Sequence, residues 1–80
     1  MGYYRNDDFL KQLGERIRSF RTEKNLSQDD LAEKCGLPTS QIGRMERGEV
    51  NFSISYVVLL SNALEISIED LFKTANNRQL

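Results

Sequence analysis

Eighty residues, of which 39% are hydrophobic and 29% charged, fit one small globular domain. One cysteine and no histidine exclude a disulfide framework and argue against a metal site. No apolar run approaches the roughly 18 residues of a membrane span. We therefore expect a cytoplasmic protein without cofactor, metal or membrane contact. Eleven basic and twelve acidic residues give a net charge of −1, which by itself slightly disfavours DNA as a partner, because phosphate neutralisation supplies much of such affinity.

The first helix is expected after a flexible N-terminal arm at residues 1–8. Asp7 and Asp8 stand where acidic side chains favour a helix start. From there the apolar residues recur at helical spacing until about Lys24. They are Phe9, Leu13, Ile17 and Phe20. Basic residues crowd this third of the chain and acidic ones cluster near its end, so a basic face can meet DNA while an acidic face points away.

The next segment predicts two short helices joined by a tight turn. Ser27 and Asp30 have the spacing of a capping box, which favours a second helix over residues 28–34. Gly36 fits the left-handed position that ends a helix without steric cost. A third helix is predicted over residues 39–47. Such a pair is typical of a helix-turn-helix, whose second helix lies in the major groove of DNA.

Two more helices complete an all-α architecture. Ser53 and Ser67 are predicted N-caps of helices over residues 54–64 and 68–73. The inner face of the fourth helix is expected to carry Ile54, Val57, Leu60, Ser61 and Leu64. A frayed tail is expected over residues 74–80.

Polar side chains on the outward face of the third helix are the strongest indication of function. Arginine donates in a fork to guanine, glutamine pairs with adenine, and serine and threonine contact bases or phosphates. Gly43 lies at the edge of this stripe, where a missing side chain allows close approach of another surface. The alternative is that each arginine is merely solvated or paired with a neighbouring glutamate. We expect base contacts from Thr39, Ser40, Gln41 and Arg44.

Phosphate contacts are expected at three residues. Gln28 stands at the N-terminus of the second helix, where free N–H groups and the helix dipole favour an anion. Arg47 and Asn51 are assigned the same role. Cys35 is expected to be a small buried apolar residue, with a redox-sensing thiol as the alternative.

The run from Leu13 to Phe72 resembles the phage repressor and Cro (XRE-type) helix-turn-helix family. Its motifs here are LSQDDLAEKCGL and IGRMERG, and Pro38 stands where the family often has a capping Ser, Thr or Asp. The resemblance implies a compact five-helix, lambda-repressor-like domain, which we place at residues 9–73. For single residues it implies a phosphate contact at Gln28, base contacts at Thr39, Ser40 and Arg44, and a structural salt bridge between Arg21 and Glu46.

The resemblance also implies dimerisation through the last helices. Tyr56, Leu59 and Phe72 are expected near the surface there, although single exposed apolar residues are common. The function expected is therefore a homodimeric transcriptional regulator, neither an enzyme nor bound to a small-molecule ligand, on a roughly palindromic operator in double-stranded DNA. Stand-alone relatives include restriction–modification controller proteins, phage-type repressors and antitoxins. The alternative is a protein-binding module, such as an antitoxin-like partner, for which DNA is secondary.

Overall fold

Five α-helices make up the computed structural model, which describes residues 5–73. They are α1 (Asp7–Glu23), α2 (Gln28–Cys35), α3 (Thr39–Glu46), α4 (Ile54–Leu64) and α5 (Ile68–Phe72). No strand occurs within that range, so the predicted all-α, five-helix fold is confirmed. No described helix is long and apolar enough to cross a membrane. Residues 1–4 of the expected arm and the expected tail at 74–80 lie outside the described residues.

Side-chain caps begin four of the five helices. The caps are Asn6, Ser27, Ser53 and Ser67, and each side-chain oxygen accepts a hydrogen bond from the backbone N–H three residues on. Ser27 and Asp30 form the predicted capping box. Because Asn6 caps α1, Asp7 and Asp8 belong to this helix and not to the expected arm. The N-cap of α3 is Pro38, which provides no side-chain hydrogen bond.

Left-handed residues end the first four helices. They are Asn25, Gly36, Gly48 and Glu65, with φ of 60°, 70°, 75° and 57°. At each end, the N–H of the following residue donates to the carbonyl five residues earlier, as in a Schellman motif. In three of the four motifs that following residue is apolar and packs against the core: Leu26, Leu37 and Ile66. At the end of α3 it is Glu49, which is exposed.

All five helices contribute to the core, and its largest members are fully buried. They are Leu13, Ile17, Leu31, Ile42, Met45, Leu60, Leu64 and Leu71. The predicted inner face of α4 is correct except at Ile54, which is 67% exposed. Ile54 is the first residue of α4, and helical side chains lean towards the N-terminus, so this side chain lies beyond the edge of the core.

Gly14 sets the distance between α1 and α3. A Cβ built on Gly14 would lie 2.5 Å from the carbonyl oxygen of Met45, and the carbonyl oxygen of Glu46 would be closer still. The last turn of α3 therefore rests directly on the backbone of α1. This contact fixes the helix that carries the polar stripe.

Candidate nucleic-acid interface

One side of α3 is sealed and the other is open. Ile42 and Met45 have no exposed surface and anchor the helix on the core. On the opposite side, the predicted base-contact residues are either exposed or half-buried. Ser40 and Arg44 are exposed, whereas Thr39 and Gln41 are half-buried. The structure therefore leaves Ser40 and Arg44 on the open side of α3, with Thr39 and Gln41 at its flanks.

Gly43 does not lie on that open face, contrary to expectation. It is buried, and a Cβ there would come within 3.1 Å of the Arg47 guanidinium and 3.8 Å of the Gln28 amide. Both long side chains lie over this residue. Arg47 is its i+4 neighbour at the end of the same helix, whereas the contact with Gln28 of α2 does not follow from periodicity. The missing side chain thus makes room for neighbours from the same chain.

A buried ion pair supports α3 from behind. Arg21 donates from Nε to Glu46 Oε2 at 2.6 Å and from Nη2 to Oε1 at 3.1 Å. The two side chains are only 10% and 3% exposed. A third hydrogen bond runs from Arg21 Nη1 to the carbonyl of Leu26 at 2.9 Å. The pair that the resemblance implied thus joins α1 to the end of α3 and to the connection before α2.

The same carboxylate holds Gln28. Its Nε2 donates to Glu46 Oε1 at 3.0 Å, which fixes the amide between the start of α2 and the end of α3. One amide N–H is used in this bond, which leaves the second N–H and the adjacent backbone N–H groups for an anion. The geometry suits the expected phosphate contact.

Arg47 is already engaged in the free protein. It donates to Glu49 from Nε at 2.8 Å and from Nη2 at 3.3 Å. Both side chains are exposed. The hydrogen bond from Arg47, with further attraction from Arg47 and Arg44, lowers the pKa of the Glu49 carboxyl, and the same bond raises the pKa of Arg47. A phosphate that contacts Arg47 therefore has to displace the Glu49 carboxylate or share the Arg47 guanidinium with it.

A shallow polar recess lies between Arg44 and the loop that follows α3. Asn51, a predicted phosphate contact, is exposed at its rim, and Gln41 lines it as well. Arg5 also lines the recess, and its guanidinium donates to Asp7 at 2.8 Å and to the carbonyl of Gly48 at 3.4 Å. Sequence reasoning did not assign Arg5 to the site. Its only signal was a basic residue immediately before the first helix.

Thr39 has a partner on the preceding helix. Its hydroxyl donates to Asp29 Oδ1 at 2.6 Å, across the turn between α2 and α3.

Cys35 is buried, and burial raises the pKa of its thiol. Among residues 5–73, no group of three or more histidine, cysteine, aspartate or glutamate residues is placed to hold a metal ion.

Apolar side chains are exposed on α4 and α5. Tyr56 and Phe72 are exposed as expected, whereas Leu59 is half-buried and packs against the core. The ring of Phe72 lies 5.9 Å from that of Phe9. The exposed large apolar residues of α4 and α5 are Ile54, Tyr56, Val58, Ile68 and Phe72, and we refer to this set as the apolar patch. Ile54 and Phe72 line one recess with Phe9.

Comparison with known proteins finds similarity over most of the chain. A family model described as helix-turn-helix matches residues 17–71. The control protein C.SmaI of Serratia marcescens is 42% identical over 64 residues, which cover 80% of this chain and 76% of that protein. The crystal structure of the restriction–modification controller protein C.AhdI of Aeromonas hydrophila superposes with a TM-score of 0.76 at 43% identity, covering 79% and 96% of the two chains. The controller protein C.Esp1396I, solved as a tetramer with its natural 35 base-pair operator, gives a TM-score of 0.78 at 31% identity, covering 85% and 90%.

Proposed function

This chain belongs to the helix-turn-helix family of the phage repressor and Cro (XRE) type, and we propose that it is a transcriptional regulator that binds double-stranded DNA sequence-specifically. The observation that carries the proposal is the open face of α3, which presents Ser40, Gln41 and Arg44 together. This face is held rigidly, because buried apolar residues and a buried ion pair fix the opposite side of the helix.

In the proposed complex α3 lies in the major groove. Arg44 donates in a fork to guanine, while Ser40 and Gln41 contact neighbouring base edges. The N-terminus of α2 with Gln28 binds a phosphate, and Arg47 and Asn51 bind further phosphates. These contacts set the register of the protein on the duplex and supply affinity. They do not select a sequence, because a phosphate carries no sequence information.

Its relatives suggest a narrower role. C.SmaI is named a control protein, and C.AhdI and C.Esp1396I are restriction–modification controllers. We infer that this chain is a regulator of the controller type with no catalytic step of its own. A protein that acts on an operator works beside the chromosome, and we therefore place it in the cytoplasm.

Arg44→Ala tests the base-reading role. Once an operator has been selected from a random duplex library, this variant is expected to lose about 1–3 kcal/mol of binding free energy for it and to relax preference at one base pair. Gln28→Ala is the comparison, because loss of a phosphate contact weakens operator and random DNA alike. Gel shifts at two salt concentrations measure both. Equal losses of Arg44→Ala on the two DNAs would refute the assignment, and no shift by the wild type would favour the protein-binding alternative.

We further propose that the apolar patch joins two copies. A two-fold dimer would place its two α3 helices about 34 Å apart, one turn of the duplex, and would fit a roughly palindromic operator. Tyr56 and Phe72 of the predicted interface belong to the patch, and Ile54 is its most exposed member. Leu59 contributes less, because it packs against its own core.

Ile54→Lys tests the dimer with little risk to folding, since the side chain is largely exposed. Sedimentation velocity is expected to show the wild type at twice the 9.2 kDa of one chain and the variant at the monomer mass. Glu33→Lys on α2 is the control for an added lysine. A wild-type monomer at a concentration of about 0.1 mM, above the micromolar range of ordinary specific association, would remove the dimer from the proposal.

A further inference from the structure

The start of α3 is built differently from the other described helix starts. The other four carry a side-chain cap, whereas Pro38 offers none. At this end a carboxylate from another helix, that of Asp29, takes a hydrogen bond from the first residue of α3. A negative charge near a helix N-terminus is favoured by the helix dipole. Asp29 is exposed and does not belong to the capping box at the start of α2, which uses Asp30.

The bond restricts what Thr39 can offer to DNA. A threonine hydroxyl has one hydrogen to donate, and an ionised carboxylate only accepts. The 2.6 Å separation between Thr39 Oγ1 and Asp29 Oδ1 is that of a strong O–H···O⁻ bond. With its hydrogen directed at Asp29, the hydroxyl retains only acceptor lone pairs for another partner. The bond also fixes the Thr39 rotamer, so these lone pairs have one direction.

We propose that Asp29 is a positioning residue that makes Thr39 an acceptor-only reader of bases. The inference rests on the proposed function, in which the first turn of α3 faces base edges. In the major groove, adenine N6 and cytosine N4 donate, whereas guanine presents only the acceptors N7 and O6, and thymine the acceptor O4. Thr39 therefore selects adenine or cytosine on the strand that it faces.

Library selection with four variants tests this specificity. Thr39→Val removes the hydroxyl at nearly constant shape, and the operator column that it changes is the one that Thr39 reads. Wild type is expected to select adenine or cytosine in that column. Asp29→Ala frees the hydroxyl to donate, so guanine and thymine are admitted in this column and in no other, and binding of the wild-type operator falls roughly threefold to tenfold. Asp29→Asn keeps an acceptor oxygen and is expected to retain the wild-type preference. Glu33→Ala, an exposed carboxylate on the same helix, is the control.

Other roles for Asp29 predict different results. If Asp29 merely stabilised the fold, Asp29→Ala would lower Tm and weaken all sequences equally. If it only repelled phosphates, Asp29→Ala and Asp29→Asn would both tighten binding to every sequence. Either result, or a wild-type column that admits both adenine and thymine, or both cytosine and guanine, on the same strand, would overturn the proposal.

A measurement without DNA separates this proposal from the proposed function. Three-bond couplings of Thr39 in the free protein report its χ1 rotamer. A single rotamer is expected in the wild type and in Asp29→Asn, and an averaged one in Asp29→Ala. Averaging in the wild type would refute the positioning by Asp29. If the rotamer were fixed and no sequence were selected, base reading by Thr39 would fall together with the proposed function.

Discussion

Glu46→Ala is expected to lower the free energy of unfolding by about 3–5 kcal/mol, because it leaves the buried Arg21 guanidinium without its charge partner. An unpaired charge buried away from water costs several kcal/mol. In the ion pair, two direct hydrogen bonds join the guanidinium to the carboxylate. For a small domain with a total stability of about 5 kcal/mol, the loss leaves much of the protein unfolded. Urea unfolding followed by far-UV circular dichroism measures it.

Two controls identify the mechanism. Glu33→Ala removes an exposed glutamate and is expected to change stability by no more than about 0.5 kcal/mol. Replacing the pair together, with Arg21→Met and Glu46→Leu, is expected to recover most of the loss, since apolar residues of similar volume often match a buried ion pair. A loss under 1 kcal/mol in Glu46→Ala would contradict the role assigned to the pair.

Gly14→Ala is expected to destabilise the protein by about 1–3 kcal/mol. In an open helix the same change stabilises by up to about 1 kcal/mol, because alanine is the better helix former. Here the added methyl group meets the backbone oxygens of Met45 and Glu46, which cannot rotate away as a flexible side chain does. The last turn of α3 has to move. Such overpacking typically costs more free energy than the higher helix propensity of alanine contributes.

The same displacement is expected to weaken operator binding, because the shifted turn belongs to the helix that carries Arg44. Chemical denaturation and a gel shift on one sample measure both effects. Ser19→Ala, at an exposed site of α1, is the control and is expected to leave both unchanged. A Gly14→Ala protein as stable as the wild type would show that the two helices are not in backbone contact.

Local signals account for what the sequence could predict of the fold. Ser27, Ser53 and Ser67 cap their helices as expected, and Gly36 ends α2 in the left-handed conformation, because these motifs depend on three to six consecutive residues. Helix boundaries therefore agree to within one or two residues. Features of the fold that the sequence did not predict depend on neighbours distant in sequence. Ile54 has the period of the core but lies beyond its edge.

The candidate site divides in the same way. Exposure of Ser40 and Arg44 follows from helical periodicity, so residues read from the sequence share one face. Burial of Gly43 does not follow from it alone, because Gln28 of α2 lies over this residue beside its i+4 neighbour Arg47. Arg21 and Glu46 are 25 residues apart, and only the family resemblance pointed to their pairing. The contacts of Arg5 and Asp29 depend on how the turns place separate helices, which no spacing in the sequence shows.

Titration of isotope-labelled protein with its selected operator duplex tests most directly whether the open face of α3 meets DNA. Backbone amide shifts in two-dimensional NMR spectra locate the contact surface residue by residue. We expect the largest changes at Ser40, Gln41 and Arg44 and at the start of α2, with residues of the apolar patch unchanged once the dimer has formed. Changes confined to α4 and α5, with the amides of α3 unaffected at saturation, would contradict this account.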